Sequence, residues 1–306
     1  MYKGMVMLFS MTILIYRRIM KRYSYYFNIM DISICVKIPF KINIGNESKN
    51  FIYNENKQDI TINFIQIEER LNIKGQLIFQ KDNINIYESE KKFIYELCPT
   101  PNKKGYAWVI KKNKYSYELY YLKGKEYYFE YSRNILNSIR IEEIINDNRG
   151  LILHSSFVKW KDKAILFSAP SGTGKSTQAD LWSKYEGAKI INGDKTGIRE
   201  LGEQWTAYGL PFAGTSNIFI NDKVPISCII VLRQGKENKI RKLSKKEAFV
   251  KIYSETIIKT WDKVYQNDII NTILNLFTYI PVYLYECLPN EEAVYFLKSK
   301  LEGDIK

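Results

Sequence analysis

Residues 164–195 read AILFSAPSGTGKSTQADLWSKYEGAKIINGDK. The centre of this stretch, Ala169 to Ser176 (APSGTGKS), follows the phosphate-binding pattern G-x-x-x-x-G-K-[ST], with Ala169 in place of the first Gly. Ala164 to Phe167 is a short apolar run that predicts a buried strand. Ser176 to Tyr185 interleaves Ala179, Leu181 and Trp182 with polar residues and is followed by Gly187, which predicts a helix. A strand, a glycine-rich turn and a helix start bring several backbone N–H groups to one point, at the positive end of the helix dipole. Ser171 to Thr177 (Ser171, Gly172, Thr173, Gly174, Lys175, Ser176, Thr177) would wrap phosphates. Lys175 would reach the outer phosphates and the Ser176 hydroxyl would hold Mg²⁺.

A second group must complete the Mg²⁺ site, usually a carboxylate at a strand end. Ala188 to Ile191 predicts the next strand, and Asp194 is the acidic residue that follows it. Asp194 reads as that ligand or as a turn residue beside Gly193. His154, the only histidine of the chain, reads either as a group that orients substrate and moves protons or as a core residue beside Leu151 and Leu153. The loop Tyr208 to Ser216 offers glycine backbone, hydroxyls and an aromatic ring. Tyr208, Gly214, Thr215 and Ser216 are its substrate-side candidates, and a plain turn is the alternative. Arg233 ends an apolar strand and reads as a clamp on a transferring phosphoryl group or as a strand-end ion pair.

The remaining sequence frames this stretch. At 306 residues the chain is long enough for one large domain or two ordinary ones. Its net charge of +13 is spread through a Lys-, Asn-, Ile- and Tyr-rich sequence without a focused basic stripe. No nucleic-acid-binding module pattern is visible, so nucleic acid is not the expected partner. Cys35, Cys98, Cys228 and Cys287 are far apart and form no metal or redox pair, which fits reduced thiols in a cytoplasm. Residues 1–30 carry five basic side chains and no acidic one around an apolar run, Gly4 to Tyr16, that is too short to span a bilayer. We expect an extension there rather than a firm membrane anchor.

Ile34 to Tyr131 alternates with period two and predicts a small, mostly antiparallel β domain over 31–148. Its hairpins are expected at Leu77 to Tyr87 and along Tyr106 to Tyr131. Asn134 to Asn146 predicts one connecting helix. The domain 149–306 then predicts a hairpin from Leu151 to the Ala164 strand and, later, Lys239 to Leu243 pairing back on Ile226 to Leu232. Ser244 with Glu247 is a capping box that opens a helix to Lys259, and Asp262 opens another. The fold class expected is α/β, a P-loop domain preceded by the β-rich one.

His154 ahead of the strand, APSGTGKST, the short helix ending at Gly187 and IINGD together resemble the catalytic domain of bacterial HPr kinase/phosphorylase. Through WTAYGLPFAGTSN and VLRQGKENKIRKLSKKEAF, the chain is similar to HPr kinase-like proteins of bacterial peptide-modification clusters, some of which phosphorylate a Ser of a precursor peptide. The resemblance covers about residues 150–300. It implies a compact P-loop kinase using ATP and Mg²⁺, with Asp194 as metal ligand or base and His154 near the reacting phosphate. It also implies homo-oligomers. One departure is Gly193, where HPr kinases carry the first of two adjacent Asp, and this makes HPr itself a doubtful acceptor. The function expected is transfer of the γ-phosphate of ATP to a Ser or Thr hydroxyl of a small protein or peptide. A non-catalytic ATP-binding module and a small-metabolite kinase are the alternatives.

Overall fold

The computed structural model describes residues 22–53, 58–90, 92–202, 204–212, 214 and 216–304. The chain is mixed α/β with two large sheets and a strand-rich N-terminal portion. It divides into two compact units. One holds the described residues up to Phe27, Ser33–Asn43 and Tyr53–Ile139, and the other holds Asn28–Ile32, Ile44–Ile52 and the described residues from Arg140 onward. Part of the stretch expected as an N-terminal extension is thus a strand, and residues 1–21 lie outside the described residues.

The first sheet contains β1 (Tyr23–Ile29), β2 (Ile32–Ile38), β3 (Ile60–Ile67), β4 (Gln76–Lys81), β5 (Ile84–Ser89), β6 (Lys92–Leu97), β7 (Ala107–Asn113) and β8 (Ser116–Leu122). Their order is β1-β2-β3-β8-β7-β6-β5-β4. The run from β8 to β4 is antiparallel, as the alternating pattern predicts, but β2–β3 and β3–β8 are parallel. β2 stops at Ile38 because Pro39 cannot donate to a ladder. The short helix α1 (Asn46–Lys49) follows.

Two expectations are corrected beyond β8. Glu126–Phe129 is a 3₁₀ turn and not a strand, because only Phe129 of that stretch is buried, against Phe64 and Tyr121. The expected single helix over Asn134 to Asn146 is two, α2 (Ser132–Ser138) and α3 (Ile141–Asp147). Ser138 turns its hydroxyl onto the Asn134 carbonyl at 2.7 Å, and Ile139 adopts an extended backbone with its side chain buried.

The second unit is built on β9 (Gly150–Trp160), β10 (Lys163–Ser168), α4 (Lys175–Glu186), β11 (Lys189–Asn192), β12 (Lys195–Leu201), β13 (Gln204–Tyr208) and β14 (Lys223–Gln234). It is completed by β15 (Lys239–Lys242), α5 (Lys245–Glu255), α6 (Lys263–Tyr279), β16 (Val282–Cys287) and α7 (Glu291–Asp304). Lys161 and Asp162, both at positive φ, make the tight turn between β9 and β10. β10 runs parallel to β14, and β14 parallel to β16. β15 pairs with β16, not back on β14 as the sequence suggests, so β16 is inserted between them.

The continuous apolar runs of β10 and β14 are explained by burial on both faces. Leu166, Ile229 and Val231 face a core with Ile252 of α5 and Ile269, Ile273 and Leu276 of α6. Ile165, Phe167, Ile230 and Leu232 face the opposite core, with Ala179 and Trp182 of α4 and Val294, Leu297 and Leu301 of α7. The capping box at Ser244 and Glu247 is formed, and Asp262 caps α6. Among the described residues, no helix is long and apolar enough to cross a membrane. None of the four cysteines is in a disulfide.

Candidate functional site

β9 passes from one set of neighbours to another at its midpoint. Residues 150–154 pair with β12, and residues 155–160 pair with β10. At that switch its sequence turns polar, His154-Ser155-Ser156, and the two serines are fully buried. Each finds a partner, as buried hydroxyls must. Ser155 Oγ donates to Thr196 Oγ1 at 2.7 Å and Ser156 Oγ to the Gly193 carbonyl at 2.9 Å. Ser168, the last residue of β10, donates to the His154 carbonyl at 3.1 Å. The end of β10, the middle of β9 and the β11–β12 turn are therefore bonded together.

Asn192 shapes that turn. Its Oδ1 accepts from the backbone N–H of Asp194 and of Lys195, both at 2.9 Å, and its Nδ2 donates to the carbonyls of Leu210 and Phe212. One buried amide thus sets the direction of Asp194 and holds the loop after β13. The loop lies directly on the turn. A Cβ on Gly214 would stand 3.0 Å from Asp194 Cγ, and one on Gly193 would stand 2.7 Å from Ser216 Cβ and Oγ. Two of the expected loop residues, Gly214 and Ser216, are in this way brought to Asp194 and Gly193, while Thr215 lies outside the described residues.

The glycine-rich loop leaves β10 through Ala169, whose methyl group is buried in the same core as Ala179 and Trp182. Gly172 and Gly174 have φ of 78° and 113°, where a side chain would be strained, and the space beside each is open. Gly174 is the N-cap of α4 and supplies no side-chain cap, so the first N–H groups of a 12-residue helix stay available to a ligand. The Ser176 and Thr177 side chains are exposed, and neither makes a hydrogen bond among the described residues. Ser171 is exposed and Thr173 half-buried, and Gln234 Nε2 reaches the Gly172 carbonyl at 3.5 Å. At its far end α4 stops on Gly187, φ 64°, as expected.

Lys175 is buried. Its ammonium donates to the loop carbonyls of Ala169 at 2.7 Å and Pro170 at 3.3 Å. Burial holds its pKa below the ordinary lysine value, against the opposing pull of the Glu255 and Asp194 carboxylates.

His154 lies between two carboxylates. Its Nε2 is 3.2 Å from Asp194 Oδ1 and its Nδ1 is 3.1 Å from Glu255 Oε2. A neutral ring donates to one of them and an imidazolium to both. Glu255, the last residue of α5, was not visible as a site residue in the sequence. The signal was its spacing, since Ala248, Ile252 and Glu255 follow the i, i+4, i+7 stripe and place an acid on the buried face. Thr256 leaves the helix in an extended conformation and bridges to Leu153, which fixes the helix end against β9.

Two expected residues point elsewhere. The buried Tyr208 donates to Asp31 Oδ2 at 2.8 Å, which together with burial raises its pKa far above that of an ordinary phenol. Arg233 pairs with Glu286 of the adjacent strand at 3.2 Å. Among the described residues, no group of three or more His, Cys, Asp or Glu side chains is set to hold a metal by itself. Mg²⁺ needs fewer protein ligands, since it keeps several waters and takes oxygens from bound phosphates. The open Ser176 hydroxyl and the Asp194 carboxylate suit that donor set.

Fold and site together define a mixed α/β protein with a strand, glycine-rich loop and helix beside a Lys-His-carboxylate cluster. The family model described as "SynChlorMet cassette protein ScmC" matches residues 134–290, and the chain belongs to that family. Comparison with curated proteins gives no match. Among solved structures the chain is similar to the Hpr(Ser) kinase/phosphatase from Coxiella burnetii, with 13% identity over 49% of this chain and 98% of that one, and a TM-score of 0.30.

Proposed function

We propose that the chain is an ATP- and Mg²⁺-dependent kinase that transfers the γ-phosphate to a Ser or Thr hydroxyl of a small protein or precursor peptide. The observation that carries this reading is the uncapped N-terminus of α4 behind two positive-φ glycines, with the buried Lys175 ammonium within electrostatic range of Asp194 and Glu255. Backbone N–H groups and Lys175 would bind the triphosphate, and Lys175 would leave the loop carbonyls to do so. Ser176 and Asp194 would hold Mg²⁺, which neutralises charge on the phosphates when bound.

The acceptor oxygen bonds to the γ-phosphorus, the bond from that phosphorus to the β,γ-bridging oxygen breaks, and ADP leaves. The hydroxyl proton passes to Asp194 where that carboxylate serves as base and not as Mg²⁺ ligand, with its Oδ1 held by His154. Glu255 fixes the imidazole from its other side. The loop at Gly214 and Ser216 packs on Asp194 and Gly193, so an acceptor would approach Asp194 beside this loop.

The test is an incubation of wild type and Lys175→Ala with γ-labelled ATP, Mg²⁺ and extract from the source cells, followed by gel and thin-layer separation. A labelled small polypeptide formed by wild type alone supports the proposal and yields the acceptor by mass. A labelled small molecule moves the acceptor to a metabolite. Nucleotide binding without any label makes the chain a non-catalytic module.

A further inference from the structure

The sheet of the second unit ends at β15, and we propose that this edge takes up an acidic peptide segment as an added strand. Among the described residues β15 pairs only with β16. The Leu243 N–H donates to the Val282 carbonyl, which makes these two a hydrogen-bonded pair of the antiparallel ladder. Such pairs alternate along the strand. Lys239 and Arg241 therefore turn their backbone groups to β16, and Ile240 and Lys242 turn theirs outward, away from the sheet.

A cleft of about 820 Å³ flanks this edge. Buried apolar residues, among them Leu243, Ala248, Ile280 and Val282, form its floor. Arg241, Lys242, Lys245 and Lys300 line it, and among the described residues no carboxylate does. Arg241 is held by Glu247, but Lys242 and Lys245 have no carboxylate partner among the described residues. Edge lysines discourage pairing with another copy, since β15 against β15 would oppose like charges. The chain's own residues 1–30, with five basic side chains and no acidic one, are equally unsuited. An anionic bilayer would meet the cations yet leave the outward N–H and C=O groups without partners. A strand that alternates acidic and apolar residues satisfies all three features: main chain on Ile240 and Lys242, carboxylates on the lysines, apolar side chains on the floor. The surface is separate from the Gly-rich loop, and its test reads binding and not phosphotransfer.

Fluorescence anisotropy of the full chain with a labelled peptide of alternating glutamate and valine tests this. The peptide should bind, and its lysine–valine counterpart should not. Lys242→Gln removes one charge and should weaken binding about threefold. Lys242→Pro also removes an outward N–H, at an edge position where proline is tolerated, and should weaken it about tenfold. Thermal melting verifies that both variants are folded. A peptide N-methylated on every amide has no donor on either edge and should fail to bind wild type, a readout that does not depend on how any variant folds. The proposal is overturned by equal loss in Lys242→Gln and Lys242→Pro. It is equally overturned by full binding of the N-methylated peptide, by absence of peptide binding, or by capture of phosphatidylserine vesicles with no peptide binding.

Discussion

Nδ1 of His154 lies 3.1 Å from Oε2 of Glu255, a residue 101 positions later in the chain. The contact brings the end of α5 to the midpoint of β9 and puts a carboxylate on each side of the imidazole. If Glu255 orients His154 toward Asp194, the amide of Glu255→Gln keeps the shape but can present either end to the ring. We expect kcat for phosphotransfer to fall about 10²-fold, the lower range for general acid–base contributions, with little change in nucleotide affinity. Single-turnover rates and ATP titrations on the same preparation separate the two. Unchanged kcat with weakened ATP binding would mean that Glu255 serves Lys175 and not His154.

Lys175 supplies a pH prediction. Its burial disfavours the charged form, so its pKa in the folded chain lies below 10.5. Between that lowered value and 10.5 the unfolded chain binds more protons than the folded one, so this residue's contribution to stability rises with pH through that window. Nucleotide binding runs the other way, because phosphates need the ammonium. ATP affinity should decline as pH rises through the lowered value, before an ordinary lysine would lose its proton. Lys175→Arg keeps its charge throughout and should show no such slope, whatever its absolute affinity. Lys175→Ala should lose about 10- to 100-fold in affinity at neutral pH, as expected for a hydrogen bond to a charged group. Calorimetric titration across the pH range checks all three.

The strand, loop and helix around APSGTGKS were legible because their signals are local. An apolar run, two glycines and a terminal Gly187 each act within a few residues. The Asp194 turn was legible for the same reason. The partner of β15 was not, since Lys239–Lys242 would pair equally well with β14 or β16, and the choice depends on a strand more than forty residues later. Glu255 was hidden in a different way. Its position on the apolar stripe of α5 marks it as facing inward, but only the tertiary fold shows that inward means His154. The break at Ile139 turned on a hydroxyl-to-carbonyl bond that no hydrophobic pattern records.

Ala169 replaces a glycine of the loop pattern, and the structure explains why the loop accepts it. Its φ is not in the left-handed region, and its methyl group is buried with Ala179 and Trp182. Ala169→Gly therefore removes packing and adds unfolded-state freedom without relieving strain. The expected loss is about 1–2 kcal/mol, from about 0.8 for the buried methyl and 0.5–1 for the glycine backbone. Urea midpoints measure it. ATP affinity should stay within about twofold, since the methyl faces the core, whereas the Lys175 contact uses the carbonyl. A variant that bound ATP much more tightly would show that the alanine restricts the loop.

Gly193 is the other departure, and here the neighbouring loop decides the outcome. A side chain at this position would begin 2.7 Å from Ser216 Cβ and Oγ, closer than real Cβ contacts come. Gly193→Asp must push Ser216 away, and with it the loop that Asn192 anchors through Leu210 and Phe212. Overpacking of this kind costs about 1–3 kcal/mol. Adding the carboxylate should therefore lower the melting temperature and reduce phosphotransfer, although it places a second acid beside Asp194. Ser216→Gly clears the space, so the double variant Gly193→Asp/Ser216→Gly should regain most of the lost stability. The four melting midpoints form a double-mutant cycle, and a coupling of about 1 kcal/mol or more is expected for residues in contact. Additive effects would mean that the loop moves aside freely, and Gly193 would then need an explanation other than Ser216.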